Sequence, residues 1–201
     1  MPAVFLLKPG SIERDECGRI LDARSSVTLV MGGRQRIVVD SGQRGEEKPI
    51  CKALAKLGIK PEEIDCIVNT HSHPDHCGNN HLFTHAKVLA AKEGDIIAPG
   101  VCILATPGHS LDSISVVIET EMVIVIAGDA LPTLGNLQKK VPPALYVDRD
   151  LAVVSMQRIM ALADFVVPGH DFPFSIQRKA YAPLPFRIGP GEGNAGSKLP
   201  D

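Results

Sequence analysis

Apolar positions in the first half of the chain fall into short runs separated by turn residues. The runs near 3–7, 26–31 and 35–40 have the length of strands. At 46–58 the period changes. Ile50, Ala53, Leu54 and Leu57 share one helical face, and Gly58 marks the end of the helix. An apolar run at 64–69 predicts the next strand. The second half repeats the theme. Strands are expected near 87–90, 101–105, 113–119 and 122–127. A helix near 149–163 follows, with Ala152, Met156, Ile159 and Met160 on one stripe, and a last strand leads up to His170. Strand groups combined with two main helices predict two packed sheets covered by helices on the outside.

Two stretches break this pattern. Residues 131–148 show little periodicity and contain Pro132, Gly135, Pro142 and Pro143. A connection of this length is either a lid over a functional site or a plain surface crossing. Residues 177–201 turn sharply towards proline and glycine, with Pro183, Pro185 and Pro190 among Gly189, Gly191 and Gly193. This divides the chain into a folded domain at 1–176 and a tail at 177–201. The tail is either disordered or wrapped on a partner subunit, which would make the protein a homodimer.

Composition narrows the function classes. A chain of 201 residues with 44% apolar content fits one domain with a substantial core. A net charge of −2 argues against a strongly basic nucleic-acid surface. The five cysteines are odd in number and lack CxxC spacing, the pattern of reduced intracellular thiols. Cys77, beside the histidines described next, reads as a small packing residue. No charged start with a long apolar segment opens the chain, and no run reaches the length of a membrane span. The expectation is a soluble cytoplasmic protein without a membrane partner.

The chemistry concentrates in His71-Ser72-His73-Pro74-Asp75-His76. Imidazoles and carboxylates are the ligands that suit zinc and neighbouring first-row metals. In extended backbone, residues two apart point the same way, so His71 and His73 can face one ion. Pro74 disfavours the helical region for His73 and so supports that geometry. Asp75 and His76 then reach a second ion beside the first. Three further settings carry ligand-type residues: Thr106-Pro107-Gly108-His109, Ala127-Gly128-Asp129 and Val167-Pro168-Gly169-His170. Like the histidine run, each follows an apolar run that reads as a strand, so the loops are expected to converge on one rim of a sheet. His81 and His85 lack such company and read as non-ligands. Asp40 closes the run Ile37-Val38-Val39. It is either a turn residue or a hydrogen-bond acceptor for a ligand imidazole.

In this order, the histidine run, the Pro-Gly-His, the Gly-Asp and the second Pro-Gly-His resemble the metallo-β-lactamase-fold hydrolases, over roughly residues 26–171. The short length and the run Ala163–His170 narrow the resemblance to one compact group within that family. The resemblance implies an α/β fold, the four-layer αββα sandwich. It also implies a zinc-dependent, dinuclear hydrolase whose cofactors are two Zn2+ ions, with iron or manganese as substitutes. Position by position, it assigns His71, His73 and His109 to one metal. Asp75, His76 and His170 go to the other, with Asp129 as the bridge. Asp75 is the catalytic residue that orients the attacking hydroxide, and Asp40 is an acid that supports a ligand histidine from behind.

Such a site hydrolyses an ester, thioester, amide, lactone or phosphodiester, and a small-molecule substrate is expected. The aspartate at position 129 speaks against antibiotic hydrolysis, because zinc β-lactamases usually lack it. The tail is too short for the glutathione-binding domain of glyoxalase II-type thioesterases. Alternative readings are a compact RNA endonuclease of the same fold and an iron-dependent persulfide dioxygenase with a single metal. A non-catalytic scaffold would be expected to have lost ligands, and none is missing.

Overall fold

The structure is a computed structural model that describes residues 1–184. The chain opens with β1 (Ala3–Lys8), a hairpin of β2 (Ser11–Arg14) and β3 (Ile20–Arg24), β4 (Val27–Gly32) and β5 (Gln35–Val39). Helix α1 (Glu47–Lys56), β6 (Cys66–Val68), the single turn α2 (Pro74–Cys77) and β7 (Lys87–Val88) follow. Next come β8 (Ile96–Ala98), β9 (Val101–Ala105), β10 (Ile114–Glu119) and β11 (Val123–Gly128). The chain continues through α3 (Leu134–Lys139), α4 (Arg149–Leu162), β12 (Phe165–Pro168), β13 (Phe174–Ser175) and β14 (Ala180–Tyr181).

One sheet has the order β1-β4-β5-β6-β7, and the other β14-β13-β12-β11-β10-β9-β8. Alternation along the strands explains why they stack. In β5, Ile37 and Val39 enter the cluster between the sheets, where they meet Ile103, Val116, Ile118 and Ile126 of the second sheet. Val38 points the other way and packs with Ile50 and Leu54 of α1. In the second sheet, Val117, Val125 and Val166 face outward to Met156 and Ile159 of α4 and to Leu134 and Leu137 of α3. Central strands buried on both faces read as continuous apolar runs. The result is the expected four-layer αββα sandwich. Burying side chains such as Ile37, Val116 and Ile118 contributes roughly 1.5–3 kcal/mol each relative to exposure.

Of the parallel pairings β5–β6, β6–β7 and β11–β12, the first and last are crossed by α1 and by the α3–α4 segment. Asp148 caps α4 by accepting the amide of Leu151 at 3.0 Å. The helix then buries Ala152, Met156 and Ile159, as the stripe predicts.

Several segments depart from the sequence reading, among them β8 and β13, strands too short to show alternation. The β2–β3 hairpin was not expected, because few of its side chains are buried and it carries no clear alternation. Its turn is held by the Asp15 carboxylate, which accepts the amides of Cys17 and Arg19. Residues 131–148 contain α3, a helix too short to show a period; Thr133 caps it, and Leu134 and Leu137 anchor it. The folded part also continues past residue 176, since β14 pairs with β13 as the outer strand of the second sheet. The rest of the tail, from 185 onward, lies outside the described residues, and with it most of the segment expected to join two copies. Among the described residues, no helix is long and apolar enough to cross a membrane.

Candidate metal centre

Five strands of the sandwich end on one rim, and each hands its next residues to the same place. Asp40 follows β5 and His71 follows β6, both from the first sheet. His109, Asp129 and His170 follow β9, β11 and β12 of the second. The end of β11 shows how local backbone aims a side chain. Its register against β12 shifts between Ile126 and Gly128, and Gly128 adopts φ +50. An irregularity followed by a left-handed glycine turns the chain so that Asp129 points inward. Space is tight there. A Cβ on Gly128 would meet Thr70 Oγ1 at 2.5 Å, and one on Gly169 would collide with Asp129 Oδ1.

His73 sits at φ −68, ψ 145, extended as its proline neighbour dictates, and Pro74 starts α2. That turn carries Asp75 and His76. His71, His76, His109, Asp129 and His170 are buried, Asp75 is partly exposed, and His73 is exposed. The structure therefore gathers all seven residues singled out from the sequence.

The imidazoles are oriented from behind. His76 Nδ1 lies 2.7 Å from Asp40 Oδ2, His109 Nδ1 lies 2.8 Å from the Leu145 carbonyl, and His170 Nδ1 lies 3.0 Å from the Arg24 carbonyl. His71 Nδ1 is 3.1 Å from Thr70 Oγ1. Each of these contacts leaves Nε2 free to face inward. His73 instead presents Nδ1, which lies 3.0 Å from both His71 Nε2 and His109 Nε2.

A second group forms beside this trio. His170 Nε2 and His76 Nε2 lie 3.6 and 3.7 Å from Asp75 Oδ2. Asp129 stands between the groups. Its Oδ2 is 3.4 Å from His109 Nε2 and 3.2 Å from His170 Nε2, and its Oδ1 is 3.3 Å from His76 Nε2 and 3.1 Å from His170 Nε2.

Do these residues fit metal ions? Nitrogens sharing one tetrahedral ion at about 2.0–2.1 Å stand roughly 3.3 Å apart, close to the spacing of the histidine trio. Within this cluster, His76 Nε2 and Asp129 Oδ1 are buried and make no hydrogen bond, despite their proximity. Buried polar atoms of this kind need a partner, and a cation between them supplies one. The electrostatics agree. Burial, with the His76 charge beside it, pushes His71 down to about 2, so its ring is neutral and its lone pair available. Burial opposes charge on His76, but Asp40 and Asp129 outweigh it and hold His76 well above the ordinary histidine range. Burial likewise opposes the charge of Asp129, yet His76 and His170 keep its carboxyl well below the usual carboxylate range. The Asp129 carboxylate thus stays anionic among the imidazoles, as a metal ligand requires.

Asp40 lies directly behind His76. Besides His76, it accepts the Thr70 amide at 2.7 Å and the Thr70 hydroxyl at 2.9 Å. Thr70 is the contributor that the sequence reading missed. Its hydroxyl touches Asp40, His71 and His76 together, and only its place between β6 and the histidine run hinted at this. The carbonyls of Arg24 and Leu145 carry no sequence signal at all. His81 and His85 stay apart from the centre, as expected: His81 Nε2 is 3.8 Å from Glu47, and His85 Nδ1 is 3.1 Å from the Glu62 carbonyl. Cys77 is partly exposed instead of buried, its Sγ 3.2 Å from the His73 carbonyl.

Residues 21–99 match the family model of the metallo-beta-lactamase superfamily. The chain is 34% identical to mouse metallo-beta-lactamase domain-containing protein 1, an alignment covering 79% of this chain and 68% of that protein. It is 31% identical to an N-acyl homoserine lactonase of Bacillus cereus, over 63% of each. Among solved structures, AiiA of B. thuringiensis with N-decanoyl-L-homoserine at its active site superposes with a TM-score of 0.66 at 21% identity, covering 85% of this chain and 92% of that one. Fold, ligand-bearing loops and relatives agree: the chain belongs to the metallo-beta-lactamase superfamily.

Proposed function

We propose that this protein is a hydrolase working with two divalent metal ions, zinc being the natural choice for the donor set, and that it cleaves a small ester, thioester or lactone. His71, His73 and His109 would hold one ion; Asp75, His76 and His170 would hold the other, and Asp129 would serve both. The observation that carries the reading is Asp129, whose carboxylate lies within 3.4 Å of His109 of one group and of His76 and His170 of the other, while its buried Oδ1 and the neighbouring His76 Nε2 make no hydrogen bond. The kinship with lactonases supports the substrate class.

When bound, such metals activate water near neutral pH and polarise the carbonyl of the substrate. The side chains do the rest. Asp75 lies at the mouth, with an oxygen 3.6 Å from His170 Nε2 and part of its carboxylate open to the cavity. It accepts the proton of the attacking water and passes it to the departing alcohol or thiol. His109 and His170 cannot swing, because backbone carbonyls hold their far nitrogens. The second group, Asp75, His76 and His170, supports two metals over the single iron of a persulfide dioxygenase.

The test is a panel of ester, thioester, lactone, phosphodiester and short RNA substrates, run with metal-loaded protein, with chelated protein and with Asp75→Asn. The reading requires metal-dependent cleavage of a carbonyl substrate and a loss of at least about 100-fold in Asp75→Asn. Cleavage of RNA alone would overturn it in favour of a nuclease. Oxygen consumption with persulfide and one iron per chain would establish the dioxygenase.

A further inference from the structure

A cavity of about 380 Å³ opens directly above the metal centre, with His73, Asp75, His109, Asp129 and His170 at its floor. Besides Gln43, Pro74 and Pro132, its walls come mainly from two elements that the chemistry above does not use. One is the β2–β3 hairpin, contributing Ile12, Ile20 and Leu21. The other is the connection after α3, contributing Pro143, Ala144 and Leu145. Leu21 is 68% exposed and Leu145 61% exposed. Large exposed apolar side chains lining one open site are a feature that ligand burial explains.

The charges of the walls point the same way. Beyond the floor, the lining includes one cation, Arg14, and one carboxylate, Asp22. Arg14 already donates to the Gly18 carbonyl at 2.9 Å within the hairpin. A polyanionic strand needs a row of cations along its phosphates, and these walls do not offer one.

Each wall is also tied to a different histidine. The hairpin ends at Arg24, whose carbonyl lies 3.0 Å from His170 Nδ1. The second wall includes Leu145, whose carbonyl lies 2.8 Å from His109 Nδ1.

We infer that the two walls form the seat of an uncharged apolar chain, so that the substrate is a neutral ester, lactone or thioester bearing an alkyl or acyl tail. Ile12, Ile20, Leu21 and Leu145 are then the residues that set chain-length specificity. This rests on the hydrolase reading above and sharpens its substrate class.

The probe is a series of straight-chain alkyl hydroxamates from four to ten carbons, titrated calorimetrically into metal-loaded protein. Binding is read without turnover, so the result is independent of whether any ester is cleaved. Affinity should rise about fourfold per added methylene over the middle of the series. Leu21→Ser and Leu145→Ser alter exposed side chains and keep both backbone carbonyls; each should flatten that slope, with metal content checked in the same samples. His81→Ala, remote from the cavity, should keep it. A wild-type affinity independent of chain length overturns the inference, as does a slope untouched in both serine variants. Binding that rises with chain length while no carbonyl substrate is cleaved would leave the seat standing and refute the hydrolase reading instead.

Discussion

Asp40 Oδ2 lies 2.7 Å from His76 Nδ1, and both side chains are almost wholly buried. Asp40 also adopts φ +56, a left-handed conformation that aspartate and asparagine tolerate better than most residues. Its other oxygen takes the Thr70 amide, so one carboxylate ties the end of β5 to the loop that launches the histidine run. The arrangement orients the His76 ring and turns Nε2 towards Asp129.

Asp40→Asn keeps the left-handed backbone and removes the charge. It should weaken metal affinity by about 10- to 100-fold while the protein stays folded. Competition against a chromophoric chelator measures this. Metal retention equal to wild type would reduce Asp40 to a turn residue.

Gly169→Ala tests how closely the loops pack. The added Cβ would run into Asp129 Oδ1 and into the backbone of Gly128. Overpacking of this kind costs about 1–3 kcal/mol, and here it also displaces a proposed ligand. Urea unfolding should show the loss of stability, and elemental analysis a loss of bound metal. His81→Ala, an exposed side chain outside the centre, should match wild type in both. A Gly169→Ala protein with normal stability and full metal content would contradict the packing described.

Removal of metal should destabilise the fold, because the centre joins loops from both sheets. A ligand present at about 1,000 times its dissociation constant adds about 4 kcal/mol to the stability of the folded state. Thermal unfolding should therefore shift downward on chelation and recover on addition of zinc. An unchanged midpoint would mean that the loops hold the site without help.

Much of this was legible in the sequence, for physical reasons. His71, His109, Asp129 and His170 each follow an apolar run that ends abruptly, so strand ends and ligands mark each other. The two helices were legible because Ile50 with Leu54, and Ala152 with Met156 and Ile159, recur at helical spacing over several turns. The hairpin at 11–24 was not, because it buries few side chains and its turn depends on Asp15 accepting local amides. Helix α3 was hidden by its length. The supports for His109 and His170 are carbonyls of Leu145 and Arg24, and a backbone atom leaves no trace in residue type. Thr70 was overlooked because one threonine beside three histidines has no pattern of its own.

The proposed bridge at Asp129 is the core of this account, and metal content measures it most directly. Purified protein, loaded with zinc and then dialysed, should carry two equivalents per chain by elemental analysis. Asp129→Ala should carry at most one, since among the described residues no other carboxylate stands between the two histidine groups. One equivalent in the wild type that does not rise on addition of metal, or two retained in Asp129→Ala, would contradict the dinuclear centre.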